Sequence, residues 1–301
     1  MVHVLRPEPC EHPRVVEREE LARSLLYRLA DGRPLSLAAA NDVARLAVSG
    51  SARRVDAVDR GVLRLSGDDL RAWALLEGWG GASLRLDARG GRVELCSDAG
   101  APLLDVDVAT RPALAAWVRH ARPTVAPPRA NPGNVTPFPG PPAAVDAELA
   151  EGWDAATSLR DVGALILRLG LGRLGAYRRA GPARARPVAP AQAMEVLVAA
   201  TDLALPLTTL VQNAGLLLRH TGAWGSLEAR AGKLRLGGER GSLTVDPRAC
   251  ASAWVVRKPS SAGTVTSLEL FDGAGQPALL VFHANAEAAP ESPLWTRLLS
   301  L

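Results

Sequence analysis

Apolar and polar positions along the chain change rhythm several times, and the elements follow from that rhythm. Glu17 to Leu29 places Leu21, Leu25, Leu26 and Leu29 on one helical face with acids in the first turn, and Asp31-Gly32 stops it. Leu35 to Val48 is a mixed run that predicts one or two strands. Gly61 to Leu65 alternates as a short strand, and Asp68 to Gly78 is predicted as a short helix. Ser83–Leu86 and Arg92–Leu95 read as strands around Gly90-Gly91, and Pro112–His120 as a helix with Leu114, Trp117 and Val118 inward. Later come helical patterns at 146–170 and 190–201, separated by a Gly/Pro/Arg-rich break. Strands are predicted at 207–220, 224–229, 233–237 and 242–246, and an apolar helix or turn centred on Trp295. The most defined stretch is Ala253 to Gly275. It predicts a strand at Trp254–Val256, a basic turn carrying Arg257 and Lys258, a strand at Thr264–Phe271, and a tight turn at Asp272–Gly275.

Residues 121–145 break the pattern. Eight prolines between Pro123 and Pro142 exclude helix and central strand, which predicts an extended linker. The division is then a first repeat at 15–120, the linker at 121–145, and a second repeat at 146–301. The halves overlay: Asn41–Gly50 matches Asn213–Gly222 at an offset of 172, and Gly61–Gly67 matches Gly232–Gly238 at 171. Val93–Leu95 and Gly100–Pro102 match Leu268–Leu270 and Gly275–Pro277 at 175. Collinear matches with small drift predict an α+β fold. It is a tandem duplication of a mostly antiparallel module of about 95 residues with flanking helices.

Composition narrows the chemistry. The net charge of +4 favours anionic ligands, while 4% aromatics and the lack of long basic runs argue against nucleic acid. No apolar run reaches the roughly 18 residues of a membrane span. The N-terminus lacks an apolar signal core, so a cytoplasmic location is expected. Cys10, Cys96 and Cys250 are too widely spaced for a disulfide framework or zinc site, and Cys10-Glu11-His12 has no second half. Asn134-Val135-Thr136 is a chance sequon. Gly170–Gly175 is a formal GxGxxG, but the run before it fits an amphipathic helix and no βαβ alternation follows, so dinucleotide binding is rejected. Of the five histidines, His3 and His12 lie in the N-terminal arm, His120 closes a helix, and His220 and His283 end strands. Neither Ser-His-Asp nor Cys-His chemistry is evident. Arg257 and Lys258 suit a carboxylate ligand.

The stretch WVVRKPSSAGTVTSLELFDGAG resembles the C-terminal half of the HemS-type cytoplasmic haem-utilisation family, also called hemin-degrading factors. Collinear support comes from Asn213–Gly215 with His220–Gly222, Trp153 with Thr157, Leu171 and Arg173 with Ala176–Arg178, and Asp69–Arg71. The resemblance implies a duplicated α+β fold with haem between the halves, a haem ABC importer or a downstream haem-degrading enzyme as partner, and basic side chains on the propionates. Carried over by position, these are Arg71, Arg173 and Lys258. The axial histidine falls at Arg160, or with a small gap at Gly163, and neither binds iron. The first-half histidine falls near Leu46. The terminal signature reads Phe282-His283-Ala284-Asn285, without its arginine. His220, Phe282 and His283 complete the candidate site, with His220 or His283 as substitute ligands. The expected function is carriage of haem or a related tetrapyrrole. The rivals are a diverged scaffold for another anion or a protein, and a haem-degrading enzyme. Lys258→Ala and Arg71→Ala are expected to weaken binding without unfolding the protein.

Overall fold

A computed structural model describes residues 23–59, 61–79, 83–86, 91–96, 102–107, 111–120, 142–284, 286 and 289–300. The N-terminal arm with His3, Cys10 and His12, the sequon and Asn285 lie outside these residues, as does the linker as far as residue 141.

Helix α1 spans residues 23–29 and buries Leu25, Leu26 and Leu29. The first half continues with β1 (Pro34–Ala40), β2 (Ala44–Ser51), β3 (Arg54–Asp59), β4 (Val62–Ser66), β5 (Arg71–Leu75), a 3-10 turn (Leu76–Trp79), β6 (Ser83–Leu86), β7 (Arg92–Cys96), β8 (Pro102–Asp107) and α2 (Pro112–His120). The second half opens with α3 (Pro142–Ala155), α4 (Leu159–Arg168), α5 (Arg173–Arg179), β9 (Ala185–Val188) and α6 (Pro190–Asp202). It closes with β10 (Leu207–Gln212), β11 (Leu216–Gly222), β12 (Ser226–Arg230), β13 (Lys233–Gly237), β14 (Gly241–Val245), β15 (Ser252–Ser260), β16 (Gly263–Phe271), β17 (Pro277–His283) and α7 (Pro293–Leu298).

The fold is α+β, with an eight-stranded sheet β12-β13-β14-β2-β1-β8-β7-β6 and a nine-stranded sheet β3-β4-β5-β11-β10-β17-β16-β15-β9. Every pairing is antiparallel. The two halves do not each close a sheet of their own: β3–β5 extend the second half's sheet, and β12–β14 extend the first half's. This reciprocal exchange gives each repeat three strands in the other's sheet. The duplication is visible atom by atom. Asn41 Oδ1 accepts from the Val43 and Ala44 amides, and Asn213 Oδ1 accepts from those of Gly215 and Leu216. Each asparagine also donates across the exchange, Asn41 to the carbonyls of Gln212 (2.7 Å) and Ala278 (2.8 Å), Asn213 to that of Leu103 (2.8 Å). Gly61 and Gly232 occupy equivalent tight turns at φ 76° and 77°, a left-handed conformation natural to glycine. Because each side chain satisfies buried backbone groups of both halves, Asn41→Ala and Asn213→Ala are each expected to lower stability by about 1–3 kcal/mol, read from urea denaturation midpoints.

The main core lies between the inner faces of the two sheets and includes Leu37, Leu46, Val48, Leu63, Leu218, Leu243, Leu268 and Val281. Leu46, aligned with the expected first-half histidine, is buried there. A second core sits on the outer face of the nine-stranded sheet, where Trp153, Leu165 and Tyr177 of α3–α5 pack on Trp254, Val256 and Phe271. Gly152 permits the close approach of α3 to α4, since a Cβ there would meet Leu165 Cδ1 at 2.8 Å.

Four local expectations are corrected. Residues 71–75 form strand β5 rather than a helix, because alternate Ala72 and Ala74 fill the inner core and the backbone pairs with both β4 and β11. The basic segment Arg257–Lys258 lies within β15 rather than in a turn, and the hairpin turns at Ser261-Ala262. The break between the helical patterns holds α5 and β9. Pro142 begins α3, where a proline at the first turn loses no hydrogen bond, so helix starts inside the expected linker. A helix, α4, precedes Gly170–Gly175, in keeping with the rejection of a dinucleotide loop.

Candidate functional site

Cross-strand pairing fixes which side chains share the outer face of the nine-stranded sheet. One row runs Arg71 (β5), Arg219 (β11), Leu210 (β10), Leu280 (β17), Glu269 (β16), Trp254 (β15). The next row runs Thr221, Thr208, Phe282, Ser267, Val256. On the same outer face, flanking the first row, Trp73 stands opposite Leu217. Helices α3–α5 cover the β9–β15 end of this face. The middle of the face carries Leu210, Leu280 and Phe282, with Leu280 and Phe282 largely closed off from solvent. Phe282 is buried with Val265 and Ala286, and Leu159, the first residue of α4, packs against this group. Trp73, Leu217 and Arg219 are half-exposed and Arg71 is exposed.

Arg71 and Arg219 face each other directly across β5 and β11, one contributed by each repeat. Like charges so placed repel. The hydroxyls of Thr221 (3.1 Å) and Thr208 (3.3 Å) accept hydrogen bonds from the Arg219 guanidinium and hold it. Beyond Arg219 strand β11 runs past the start of β5. A cleft of about 460 Å³ opens there, lined by Asp68, Arg71, Arg219, His220 and Glu239 among others. An Asp69–Arg240 ion pair ties the β4–β5 turn to the β13–β14 turn at its side. Arg219 was not among the sequence candidates. The signal was available: Leu216, Leu218 and His220 alternate inward, which turns Arg219 outward.

The other predicted residues separate into three places. Arg173 and Lys258 meet under α5 at Glu269, a carboxylate the sequence reading passed over. Glu269 is fully buried, receives an ion pair from Lys258 and hydrogen bonds from Tyr177 Oη (2.8 Å) and Ser267 Oγ (2.8 Å), and lies 3.8 Å from Arg173. Burial alone raises its pKa, but the charges of Lys258 and Arg173 and the hydrogen bonds outweigh that and bring it down to about 2. Burial lowers the Lys258 pKa, offset in part by Glu269. Lys258 is therefore a buried, paired cation and not a solvated turn residue. Tyr177 is buried between them, and its proton is held more tightly through burial and the adjacent Glu269 charge.

His220 and His283 project from the opposite, inner face, in register with Thr209 and Leu207 respectively. Strand β10 separates them, so they do not form one site. His220 is buried and stacked on Trp224 (ring centroids 4.2 Å apart, planes at 23°), and burial lowers its pKa. Nδ1 of each imidazole has no hydrogen-bond partner among the described residues.

Arg160 and Gly163 lie on α4. Ser158 caps this helix, its hydroxyl accepting from the Asp161 amide, while Asp161 accepts from Thr157 N (3.0 Å) and Oγ1 (2.9 Å). Val162, Leu165 and Ile166 are buried, and Arg160 points to solvent. Gly163 is half-buried, one helical turn beyond Leu159 on the same edge, and an added Cβ there would meet nothing within 4 Å. Of the two aligned positions, Gly163 is the one on the half-buried side of α4 that Leu159 shares.

This architecture, a duplicated antiparallel fold with exchanged strands and an arginine pair at the edge of an apolar face, defines a class. Residues 170–301 match the family model of the haemin-degrading HemS/ChuX domain. It is 29% identical over 160 residues to the hemin transport protein HmuS of Yersinia pestis, 53% of this chain and 46% of that protein. The match thus spans about half the length of that relative. Its fold resembles apo-PhuS, a heme-binding protein from Pseudomonas aeruginosa (TM-score 0.77, 24% identity, 92% of this chain and 83% of that one). It also resembles the heme degrading enzyme ChuS of Escherichia coli O157:H7 (TM-score 0.76, 21% identity, 93% and 84%). At these identities the structural likeness is one of fold. No helix among the described residues is long and apolar enough to cross a membrane.

Proposed function

We propose that this is a cytoplasmic protein of a haem-uptake system that binds haem or a related tetrapyrrole in a trough on the outer face of the nine-stranded sheet, over Leu210, Leu280 and Phe282. The observation that carries this reading is the Arg71–Arg219 pair at the edge of an apolar floor. A planar apolar ring with carboxylates along one edge matches both parts: the ring covers Leu210, Leu280 and Phe282, and each carboxylate takes a guanidinium in a charge-assisted pair. Arg173 and Lys258 stand behind Glu269 at the covered end and contribute positive charge to the same face. The family match and the relatives' haem-related names support the ligand class.

The residues present fit the ring and its carboxylates but do not fit an axial bond to iron. Arg160 keeps its proton, Gly163 has no side chain, His283 projects to the inner face, and His220 borders the polar cleft rather than the apolar floor. Haem is therefore treated as cargo, and no reaction step is assigned to it. Purified protein titrated with hemin is expected to give a saturable change in the Soret band at one equivalent. A change that never saturates would remove this reading. It would leave a second one, a diverged scaffold that takes another anion in the polar cleft beside Arg71, Arg219 and His220. Product formation when reductant is added to the hemin complex would instead make the protein a haem-degrading enzyme. A haem importer or a downstream haem-degrading enzyme would be its partners.

A further inference from the structure

We propose that the polar cleft at the end of β11 is a binding site for a small phosphate monoester that carries hydroxyls, with Arg71, Arg219 and His220 holding its phosphate. The site shares its two arginines with the tetrapyrrole reading above but does not depend on it. Neighbouring residues of a strand point to opposite faces, so Arg219 and His220 do not ordinarily reach one ligand. They do here because β5 pairs with β11 only as far as Arg71–Arg219, while β11 runs on to Gly222 against β10 alone. The cleft of about 460 Å³ at that step is lined from both faces, by the two arginines and by the imidazole.

His220 is the observation that points to a ligand. The residue is 6% exposed and stacked on Trp224, and its Nδ1 is buried with no hydrogen-bond partner among the described residues. Its Nε2 edge is kept clear by two glycines. A Cβ on Gly222 would come to 3.4 Å from Cε1 and 3.6 Å from Nε2, and one on Gly241 to 3.1 Å from Cδ2 and 3.6 Å from Nε2. A neutral imidazole carries one N–H. A buried donor without an acceptor is costlier than a buried lone pair, so the proton sits on Nε2 and is offered to the cleft. Two guanidiniums and this N–H approach from different directions. A tetrahedral phosphate has an oxygen for each, whereas a carboxylate has two oxygens in one plane.

The remaining charges shape the rest of the ligand. Asp69 is closed onto Arg240, while Asp68 and Glu239 lie on the exposed rim. Ionised carboxylates only accept hydrogen bonds, so this rim suits hydroxyls and disfavours further phosphates. The described lining holds no Phe, Tyr or Trp on which a base would stack. Its volume is that of a pocket for a small organic molecule rather than for a bare ion.

The test is calorimetric titration of the full chain with glycerol 3-phosphate, ethyl phosphate and succinate. Glycerol 3-phosphate is expected to saturate at one equivalent, about threefold or more tighter than ethyl phosphate and about tenfold or more tighter than succinate. No saturation with glycerol 3-phosphate would overturn the proposal. Succinate binding as tightly would overturn the phosphate assignment, and ethyl phosphate binding as tightly would overturn the role of the rim carboxylates. Arg71→Ala changes an exposed side chain and is expected to weaken glycerol 3-phosphate about tenfold; unchanged affinity would overturn the site. His220→Phe keeps a ring on Trp224 and removes the donor, and a loss of about fivefold or more is expected at an unchanged urea midpoint. Unchanged affinity in the folded variant would remove the imidazole from the site, and Arg71→Ala decides the site whether or not His220→Phe folds. Hemin saturation without a response to glycerol 3-phosphate would overturn this proposal alone. Glycerol 3-phosphate binding without hemin saturation would leave it standing and remove the tetrapyrrole reading.

Discussion

Glu269→Ala is expected to cost the folded protein about 3–5 kcal/mol, because it strands Lys258 as an uncompensated buried charge beside Arg173. The loss would be read as a lower urea midpoint with an unchanged slope. Lys258→Met is expected to cost less, since Glu269 keeps Arg173, Tyr177 and Ser267. The double variant Glu269→Leu/Lys258→Met replaces the ion pair by carbon, and is expected to recover most of the stability lost in Glu269→Ala. A double variant no more stable than Glu269→Ala would show that the pair is not the unit described. This replaces the sequence-level expectation that Lys258→Ala would be silent for folding.

The same carboxylate sets an acid limit. Its pKa lies at about 2 in the folded protein against 4.5 when unperturbed. A depressed folded pKa means that the unfolded chain binds the proton first. The stabilisation is therefore complete above about pH 4.5 and is lost as pH falls toward 2, an effect of roughly 3 kcal/mol. The double variant should lack this part of the acid transition.

Local pattern carried much of the fold. Helix α6 and the strands at 233–237 and 242–246 depend on nearby residues, and they were legible; the run at 207–220, read as one strand, is instead broken at Asn213, whose Oδ1 closes the β10–β11 turn. Three features depend on distant ones. Residues 68–78 carry helix-compatible residues, yet pairing with β4 and β11 forces them into β5, and nothing near Arg71 announces a partner strand so far along the chain. The exchange of β3–β5 and β12–β14 between repeats is likewise invisible to periodicity, because either half's sheet offers the same alternating surface. Arg257–Lys258–Pro259 has turn composition. Proline is tolerated in β15 at Pro259 near the strand's end, and Lys258 enters the interior only because Glu269 waits there. At the site, the resemblance brought Arg71, Arg173, Lys258 and Phe282 to one face. It could not say that Glu269 stands between Lys258 and the trough, or that Arg219 faces Arg71.

The largest effect on ligand binding is expected from Arg71 and Arg219 together. A hydrogen bond to a charged group contributes about 1.5–3 kcal/mol, so Arg71→Ala and Arg219→Ala should each weaken porphyrin binding about tenfold or more. The double variant should weaken it by about a hundredfold or more. Removing Arg71, one of two like charges that face each other across a strand pair, relieves repulsion, so the urea midpoint of Arg71→Ala should hold or rise slightly, while Arg219→Ala gives up the hydrogen bonds to Thr208 and Thr221. Substitution by lysine keeps the charge but loses the two-pronged geometry, and intermediate affinities are expected. A porphyrin esterified at both carboxyls separates this account from a general loss of positive charge near the trough. The wild-type protein should bind the ester about as weakly as the double variant binds the free acid, and the arginine substitutions should leave ester binding unchanged. If the ester instead loses affinity in step with the acid, the arginines act on the shape of the trough and do not hold the carboxylates.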